Sequence, residues 1–270
     1  MRGFLGEKIA EGSTADIHAW APGQVLKLFK PGASTRIGRH EARMTRAAFA
    51  AGGPAPEVLD EAILEGRFGI VLPRFDGPTL LELLLAQTVT YEAAGAILAS
   101  LYASIHKTPP SAEIVSLRDW FGVAWRQSGG ILPEHIATGV LTLIDRLSPG
   151  DGLCHCDLHP GNVIMTADGP KIIDWACALR VPAVFDLGRA HVTLSELIPE
   201  GADPEPMRAI DAVLLSEYPR LAGISPAELA AAMEPYLPIL RAYVLLQRPH
   251  SPAQRQRLVQ RIAAALLSED

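Results

Sequence analysis

Asp157, Asn162 and Asp174 are the residues of this chain whose types and spacing could do chemistry together. They share one run, Leu153 to Trp175, reading LCHCDLHPGNVIMTADGPKIIDW. Pro160 and Gly161 forbid both a continued helix and a central strand, so Asp157 and Asn162 belong to an irregular loop. Val163 to Met165 and Lys171 to Ile173 are apolar, β-branched-rich segments separated by Ala167-Asp168-Gly169-Pro170, a turn signal for a hairpin. A turn centred on Asp168-Gly169 pairs Asp174 near Val163 and sets it beside Asn162, within roughly 5 Å across the ladder. An amide oxygen and a carboxylate at one hairpin mouth suit a magnesium ion that keeps several waters and bridges phosphates, with Asp157 as a nearby base.

The rest of the chain must position these groups. Its 270 residues, 49% of them hydrophobic, allow one large domain or two modest lobes around a sizeable core. No apolar run approaches the roughly 18 residues that span a bilayer. Met1-Arg2-Gly3-Phe4 leads into Glu7-Lys8 rather than a signal-peptide core, so the expectation is a cytoplasmic protein with no membrane partner. Cys154, Cys156 and Cys177 make an odd number, which argues against a disulfide framework. The net charge of −6 argues against a nucleic-acid partner. Through Phe75 there are 10 Lys and Arg against 8 Asp and Glu, and beyond it 14 against 22. A basic front suits a nucleotide. An acidic back suits a cationic acceptor and equally fits a solvated surface.

The first 75 residues read as short strands interrupted by one helix. In Val25-Leu26-Lys27-Leu28-Phe29, alternation puts Val25, Lys27 and Phe29 on one face. A lysine there is an edge-strand gatekeeper or a charge facing a cleft, and the strand alone favours the gatekeeper. Thr35 to Ala51 is helical, with Ile37, Met44, Ala47, Ala48 and Ala51 as its apolar positions and Glu41 among four arginines, and Gly52-Gly53-Pro54 stops it. Strands at Glu57 to Leu64 and Phe68 to Leu72 follow, then a linker, Pro73-Arg74-Phe75-Asp76-Gly77-Pro78. Thr79 with Glu82 forms a capping box, Thr90 caps the next helix, and Ser225-Pro226 and Ser251-Pro252 start two more. The back half is mostly helix, with the hairpin from Asn162 to Asp174 its one clear β element.

This order resembles the kinase-like phosphotransferases, and among them the aminoglycoside phosphotransferase and choline kinase superfamily rather than the protein kinases. His155-Cys156-Asp157-Leu158-His159-Pro160-Gly161-Asn162 is similar to that superfamily's catalytic loop, and Ile172-Ile173-Asp174-Trp175 to its metal-binding strand end. The resemblance covers nearly the whole chain and is sharpest from Leu153 to Gly188. It implies an α+β, two-lobed protein-kinase-like fold. Residues 1–75 would form the β-rich nucleotide-binding lobe, and 76–270 the helical lobe that carries catalysis and the acceptor.

The resemblance also implies roles. Asp157 would accept or orient the proton of an acceptor hydroxyl, while Asn162 and Asp174 would hold Mg2+ on the phosphates of ATP, with GTP an alternative donor. Lys27 would contact the α and β phosphates, held by an ion pair with Glu41. The turn at Gly12-Ser13-Thr14 would offer backbone N–H groups to the β and γ phosphates, although its single glycine departs from a Gly-rich loop. Leu72 would stand beside the adenine, with the Pro73 carbonyl and the Phe75 N–H at the base edge. His106, His155 and the segment Phe185-Asp186-Leu187-Gly188 would support the loop. His159 would orient Asp157 or simply pack, and Cys156 stands where members of the superfamily often have glycine.

Three rival readings are weaker. Cys154, His155, Cys156 and His159 lack the spacing of a closed zinc site. A protein kinase, whether Ser/Thr-specific or otherwise, would need an activation segment, yet no Ser, Thr or Tyr lies between Asp174 and His191. A silent pseudokinase would not fill every catalytic position. The expected acceptor is therefore a small-molecule hydroxyl, with Glu200, Asp203, Glu205, Asp211, Glu217 and Glu228 as candidates to bind an amino sugar or amino alcohol. A choline-type acceptor would need aromatic faces, for which Trp120, Trp125, Tyr236 and Tyr243 are candidates.

Overall fold

Short apolar runs between tight turns give the first 73 residues an antiparallel sheet. The computed structural model describes residues 5–267 apart from 110, 148, 149, 151 and 200. Strands β1 (Lys8–Glu11), β2 (Ala15–Ala19), β3 (Gln24–Phe29), β4 (Asp60–Leu64) and β5 (Arg67–Pro73) lie in the order β1-β2-β3-β5-β4. Lys27 pairs with Ile17 on one side and Ile70 on the other, so its strand is central. The edge-strand reading of Lys27 is thereby corrected, because β2 and β5 cover both edges of β3.

Helix α1 (Thr35–Ala50) crosses one face of the sheet, and the Ser34 hydroxyl accepts the Arg36 N–H at its N-cap. Gly38 makes the approach close. A Cβ there would lie 2.3 Å from Phe68 and 2.8 Å from Phe29. The contact turns Glu41, one helical turn further on, toward Lys27. Ile37, expected on the apolar face, is 50% exposed, while Met44, Ala47 and Ala48 are buried in the larger core. The helical stripe is thus narrower at its start, where Gly38 meets the sheet and the neighbouring Ile37 faces solvent.

The linker meets the C-terminal half through backbone contact. Gly77 lies so close to the hairpin that a Cβ would sit 2.0 Å from the Met165 carbonyl oxygen, and Met165 N–H donates to Pro78 O at 2.8 Å. Helix α2 (Leu80–Leu85) opens on the Thr79–Glu82 capping box, a device that contributes about 1 kcal/mol. Helices α3 (Tyr91–Ile105), α4 (Leu117–Gln127) and α5 (Glu134–Arg146) follow. Next come β6 (Gly152–Cys154), the hairpin β7 (Val163–Thr166) and β8 (Gly169–Ile172), and β9 (Leu179–Val181). Helices α6 (Ala183–Glu196), α7 (Glu205–Ala222), α8 (Pro226–Met233), α9 (Leu237–Gln247) and α10 (Pro252–Leu267) complete the lobe. A small antiparallel sheet before a larger helical body is the expected fold class.

Three expectations are corrected. The hairpin is not the one β element of the back half, because β6 pairs with β9 from Gly152↔Val181 to Cys154↔Leu179. Its register places Val163 opposite Ile172, not Asp174, since the chain turns at Ala167-Asp168 and Gly169 takes φ +99°. Pro226–Gln247 is also long and apolar enough, by length and composition, to cross a membrane. In the fold it is broken by a 3-10 turn at Glu234–Tyr236, and Leu229, Met233, Ile239, Leu240 and Tyr243 are core residues.

Candidate active site

The loop from His155 to Asn162 is held from beneath by one buried carboxylate. Asp186 on α6 is fully buried, and its two oxygens accept the N–H groups of His155 and Cys156, each at 2.8 Å. His106 Nε2, at the end of α3, stands 3.3 Å from the same carboxylate. Burial acts to raise the Asp186 carboxyl, but His106 and His155 outweigh it and hold it below the usual range. Cys156 adopts φ +56°, a conformation natural to glycine, and its thiol is buried. Cys154, His155, Cys156 and His159 form no ligand cluster. Among the described residues, the group of that kind is His106, Cys154 and Asp186, whose carboxylate already serves the loop amides.

That tether presents Asp157. Its side chain is 28% exposed and receives a charge-assisted hydrogen bond from Arg189 Nη2. The loop then closes on itself. Asn162 Nδ2 donates to the Asp157 carbonyl oxygen at 2.9 Å, which leaves the amide oxygen as an open acceptor. His159 Nδ1 accepts the Gly161 N–H at 3.1 Å, so it caps the 3-10 turn Pro160–Asn162. Across the hairpin, Ile173 N–H donates to Asn162 O at 3.0 Å and sets Asp174 one step beyond. Asp174 takes the left-handed φ +61°, ψ +70°, which turns its carboxylate out of the ladder.

The sheet contributes the opposite wall. Lys27 Nζ lies 2.5 Å from Glu41 Oε1 and 3.3 Å from Asp174 Oδ2. One cation therefore serves two carboxylates. Burial acts to lower the Lys27 ammonium, but Glu41 and Asp174 outweigh it and hold it above its ordinary value. Burial pushes the Glu41 carboxyl up to about 6, with Lys27 opposing and Asp174 adding to the rise. Burial also acts to raise Asp174, yet Lys27 and His155 hold it below the usual carboxylate range.

Gly12, Ser13 and Thr14 form the exposed turn between β1 and β2. The Gly12 N–H closes that turn on Ala15 O at 2.8 Å, and the Thr14 carbonyl accepts the Lys30 N–H at 2.9 Å. Leu72 packs beside the core of Phe29 and Ile70, and Pro73 ends β5. Pairing of β5 with β4 stops at Asp60↔Val71, so Pro73 and Phe75 lie beyond the covered part of that edge.

Four of the six carboxylates expected to meet a cation are engaged elsewhere. Asp211 lies 2.9 Å from His191, Glu217 pairs with Arg220, Glu228 closes the α8 capping box, and Asp203 accepts the Glu205 N–H. Glu205 is exposed on the first turn of α7, and Glu200 lies outside the described residues. The four aromatics form no cage. Tyr243 is fully buried with its ring 4.2 Å from that of Trp120, Tyr236 is buried, and Trp125 Nε1 donates to Leu132 O.

Sequence reasoning passed over Arg189 and its neighbours. Arg189 is 2% exposed, and its Nη2 also donates to Gln247 Oε1 on α9 at 3.2 Å. A signal existed: Asp186 and Arg189 interrupt an otherwise apolar helix start, and buried charges require partners. After Asp174 the chain enters a 3-10 turn, Trp175–Cys177, then β9 and α6. No activation-type segment separates them.

A sequence model of the family described as APH, "Phosphotransferase enzyme family", matches residues 9–224. No curated protein sequence matches the chain. Among solved structures, the chain is similar to an aminoglycoside-3'-phosphotransferase of type VIII, at 21% identity over 91% of this chain and 92% of that one, with a TM-score of 0.54. A choline kinase from Cryptosporidium parvum Iowa II matches at 11% identity over 99% and 89%, with a TM-score of 0.57. The streptomycin-ATP-APH(2")-IIa ternary complex matches at 14% identity over 98% and 92%, with a TM-score of 0.55. These likenesses concern the fold, a two-lobed kinase-like arrangement.

Proposed function

The chain belongs to this phosphotransferase enzyme family, and on that premise we propose that it moves the γ-phosphoryl group of ATP to a hydroxyl of a small molecule. The observation that carries the reading is the convergence of Lys27 and Glu41 from the sheet lobe with Asp174 from the hairpin, whose Ile173 N–H bonds Asn162 in the loop that presents Asp157. Residues 1–75 supply the nucleotide side, and 76–270 supply the base and the acceptor side.

In the proposed step the acceptor oxygen attacks the γ-phosphorus as the bond to the β,γ-bridging oxygen breaks, and ADP leaves. The hydroxyl proton passes to the Asp157 carboxylate. Lys27, locked by Glu41, neutralises charge on the α and β phosphates, while the Ser13 and Thr14 amides face the outer phosphates. Asn162 with its free amide oxygen and Asp174 with its out-turned carboxylate are hard oxygen donors that fit Mg2+. When bound, that ion supplies charge neutralisation on the phosphates. Leu72, Pro73 and Phe75 would receive the base, and nothing in these three residues separates ATP from GTP.

A coupled assay of ADP formation with a panel of hydroxyl acceptors tests the proposal. Acceptor-dependent ADP release that needs Mg2+ supports it. Nucleotide binding without turnover against any acceptor would point instead to a silent nucleotide-binding protein.

A further inference from the structure

The acceptor side of Asp157 carries more positive than negative charge. Buried Arg189 pairs with Asp157, and its Nε, also buried, has no hydrogen-bond partner. Gln247 ties the same guanidinium to the end of α9. The next residue, Arg248, is exposed and reaches back to α6, where its Nη2 donates to Thr193 Oγ1 at 3.3 Å. Thr193 lies one helical turn after Arg189 and donates to the Arg189 carbonyl at 2.9 Å. Among the described residues Arg248 has no ion-pair partner, unlike Arg241 and Arg261, which both hold Glu196. A small cleft beside the loop is walled mainly by apolar side chains, Leu98, Leu158, Leu194 and Leu214 among them, with Arg189 and Thr193 at its polar edge; Arg248 lies outside it.

Two guanidinium groups thus stand around one carboxylate, and that carboxylate is already paired. An amine docked here would meet an Arg248 that has no ion-pair partner, while Asp211, Glu217 and Glu228 are engaged in pairs or a cap. A carboxylate or phosphate would meet the opposite situation. An exposed guanidinium without an ion-pair partner binds either in a bidentate fork and would fix the molecule's orientation while its hydroxyl reaches Asp157.

We infer that the acceptor bears an anionic group, a carboxylate or a phosphate, and that Arg248 is the residue that binds it. This rests on the phosphotransferase reading, because it treats the neighbourhood of Asp157 as the acceptor site. Arg248 sets specificity and takes no part in the transfer. Burial lowers the Arg248 guanidinium from its ordinary value, with Arg189 adding to the effect and Asp157 opposing it.

The test compares matched polyols in the presence of Mg-ADP by calorimetry, and with Mg-ATP by ADP formation. Gluconate and glycerate form the carboxylate arm, glucose 6-phosphate the phosphate arm, glucose and glycerol the neutral arm, and glucosamine and ethanolamine the cationic arm. An anionic arm is expected to bind at least tenfold more tightly than the neutral and cationic arms, and which anionic arm wins identifies the group. Arg248→Gln should abolish that preference while changing ADP affinity less than twofold, and Arg248→Glu should invert it toward amines. Tightest binding by the amines, equal binding in all arms, no binding in any arm, or an unchanged preference in Arg248→Gln would overturn the inference. Anionic preference in binding without ADP formation would uphold it and count against the phosphotransferase reading alone.

Discussion

Lys27 Nζ and Asp174 Oδ2 lie 3.3 Å apart, joining the central strand of the sheet to the end of the hairpin in the helical lobe. Glu41 holds the same ammonium at 2.5 Å. The arrangement places one fixed cation at the boundary between two lobes, where, in the proposed function, it would neutralise the phosphates of a nucleotide.

Removing that cation should harm catalysis more than folding. Lys27→Met is expected to lower kcat/KM for the nucleotide by roughly 10²- to 10³-fold, the loss typical of one electrostatic donor at a reacting centre. Steady-state kinetics on purified variant, with far-UV circular dichroism as the folding check, measures it. An unchanged kcat/KM would remove Lys27 from the site.

Glu41 makes a pH-dependent prediction. Its carboxyl, pushed up to about 6 from an ordinary 4.5, binds a proton more tightly in the folded chain than in the unfolded one. The stability it contributes is therefore present below pH 4.5 and lost as pH rises through about 6. Glu41→Gln does not titrate. Relative to that variant, the wild type should lose on the order of 2 kcal/mol between pH 4.5 and 7.5 in urea unfolding. Parallel stability curves for the two proteins would contradict this.

Asp186 should behave as the anchor of the loop. Asp186→Ala leaves the buried N–H groups of His155 and Cys156 without an acceptor and is expected to cost about 3 kcal/mol. Asp186→Asn retains one acceptor oxygen and should cost less. Its carboxyl is held below the usual range, so its contribution persists above the ordinary value of 3.8 and fades as pH falls through the folded one. Denaturant titration of both variants at neutral pH reads the difference.

Much of this was legible in the chain, and the limits have physical causes. The capping boxes at Thr79 and Ser225 are local chemistry, complete within four residues, and both helices begin where those boxes place them. The hairpin was visible but its register was not, because Gly169 rather than the Asp168-Gly169 pair decides where the ladder starts. Lys27 read as an edge residue because strand order depends on pairing with β5, more than 40 residues away in sequence. Arg189, Gln247 and Arg248 were silent for the same reason. A helical charge declares its face by periodicity, but not which distant element it will meet.

Arg189 is expected to position Asp157. Arg189→Met should lower kcat by roughly 10²-fold, the effect of a small misplacement of a reacting group, with KM for the nucleotide changed less than about twofold. Arg189→Lys keeps the charge and should recover part of the loss. A rise in nucleotide KM with kcat intact would mean that Arg189 serves the other substrate.

The most direct measurement follows the γ-phosphate itself. Wild type and Asp157→Asn are each incubated with γ-labelled ATP, Mg2+ and a mixed panel of hydroxyl compounds, and label in the acceptor fraction is quantified by chromatography and mass spectrometry. A labelled phosphate ester is expected with the wild type, and formation reduced by roughly 10²- to 10⁴-fold in Asp157→Asn at equal nucleotide affinity. Equal label transfer by both proteins would contradict that expectation.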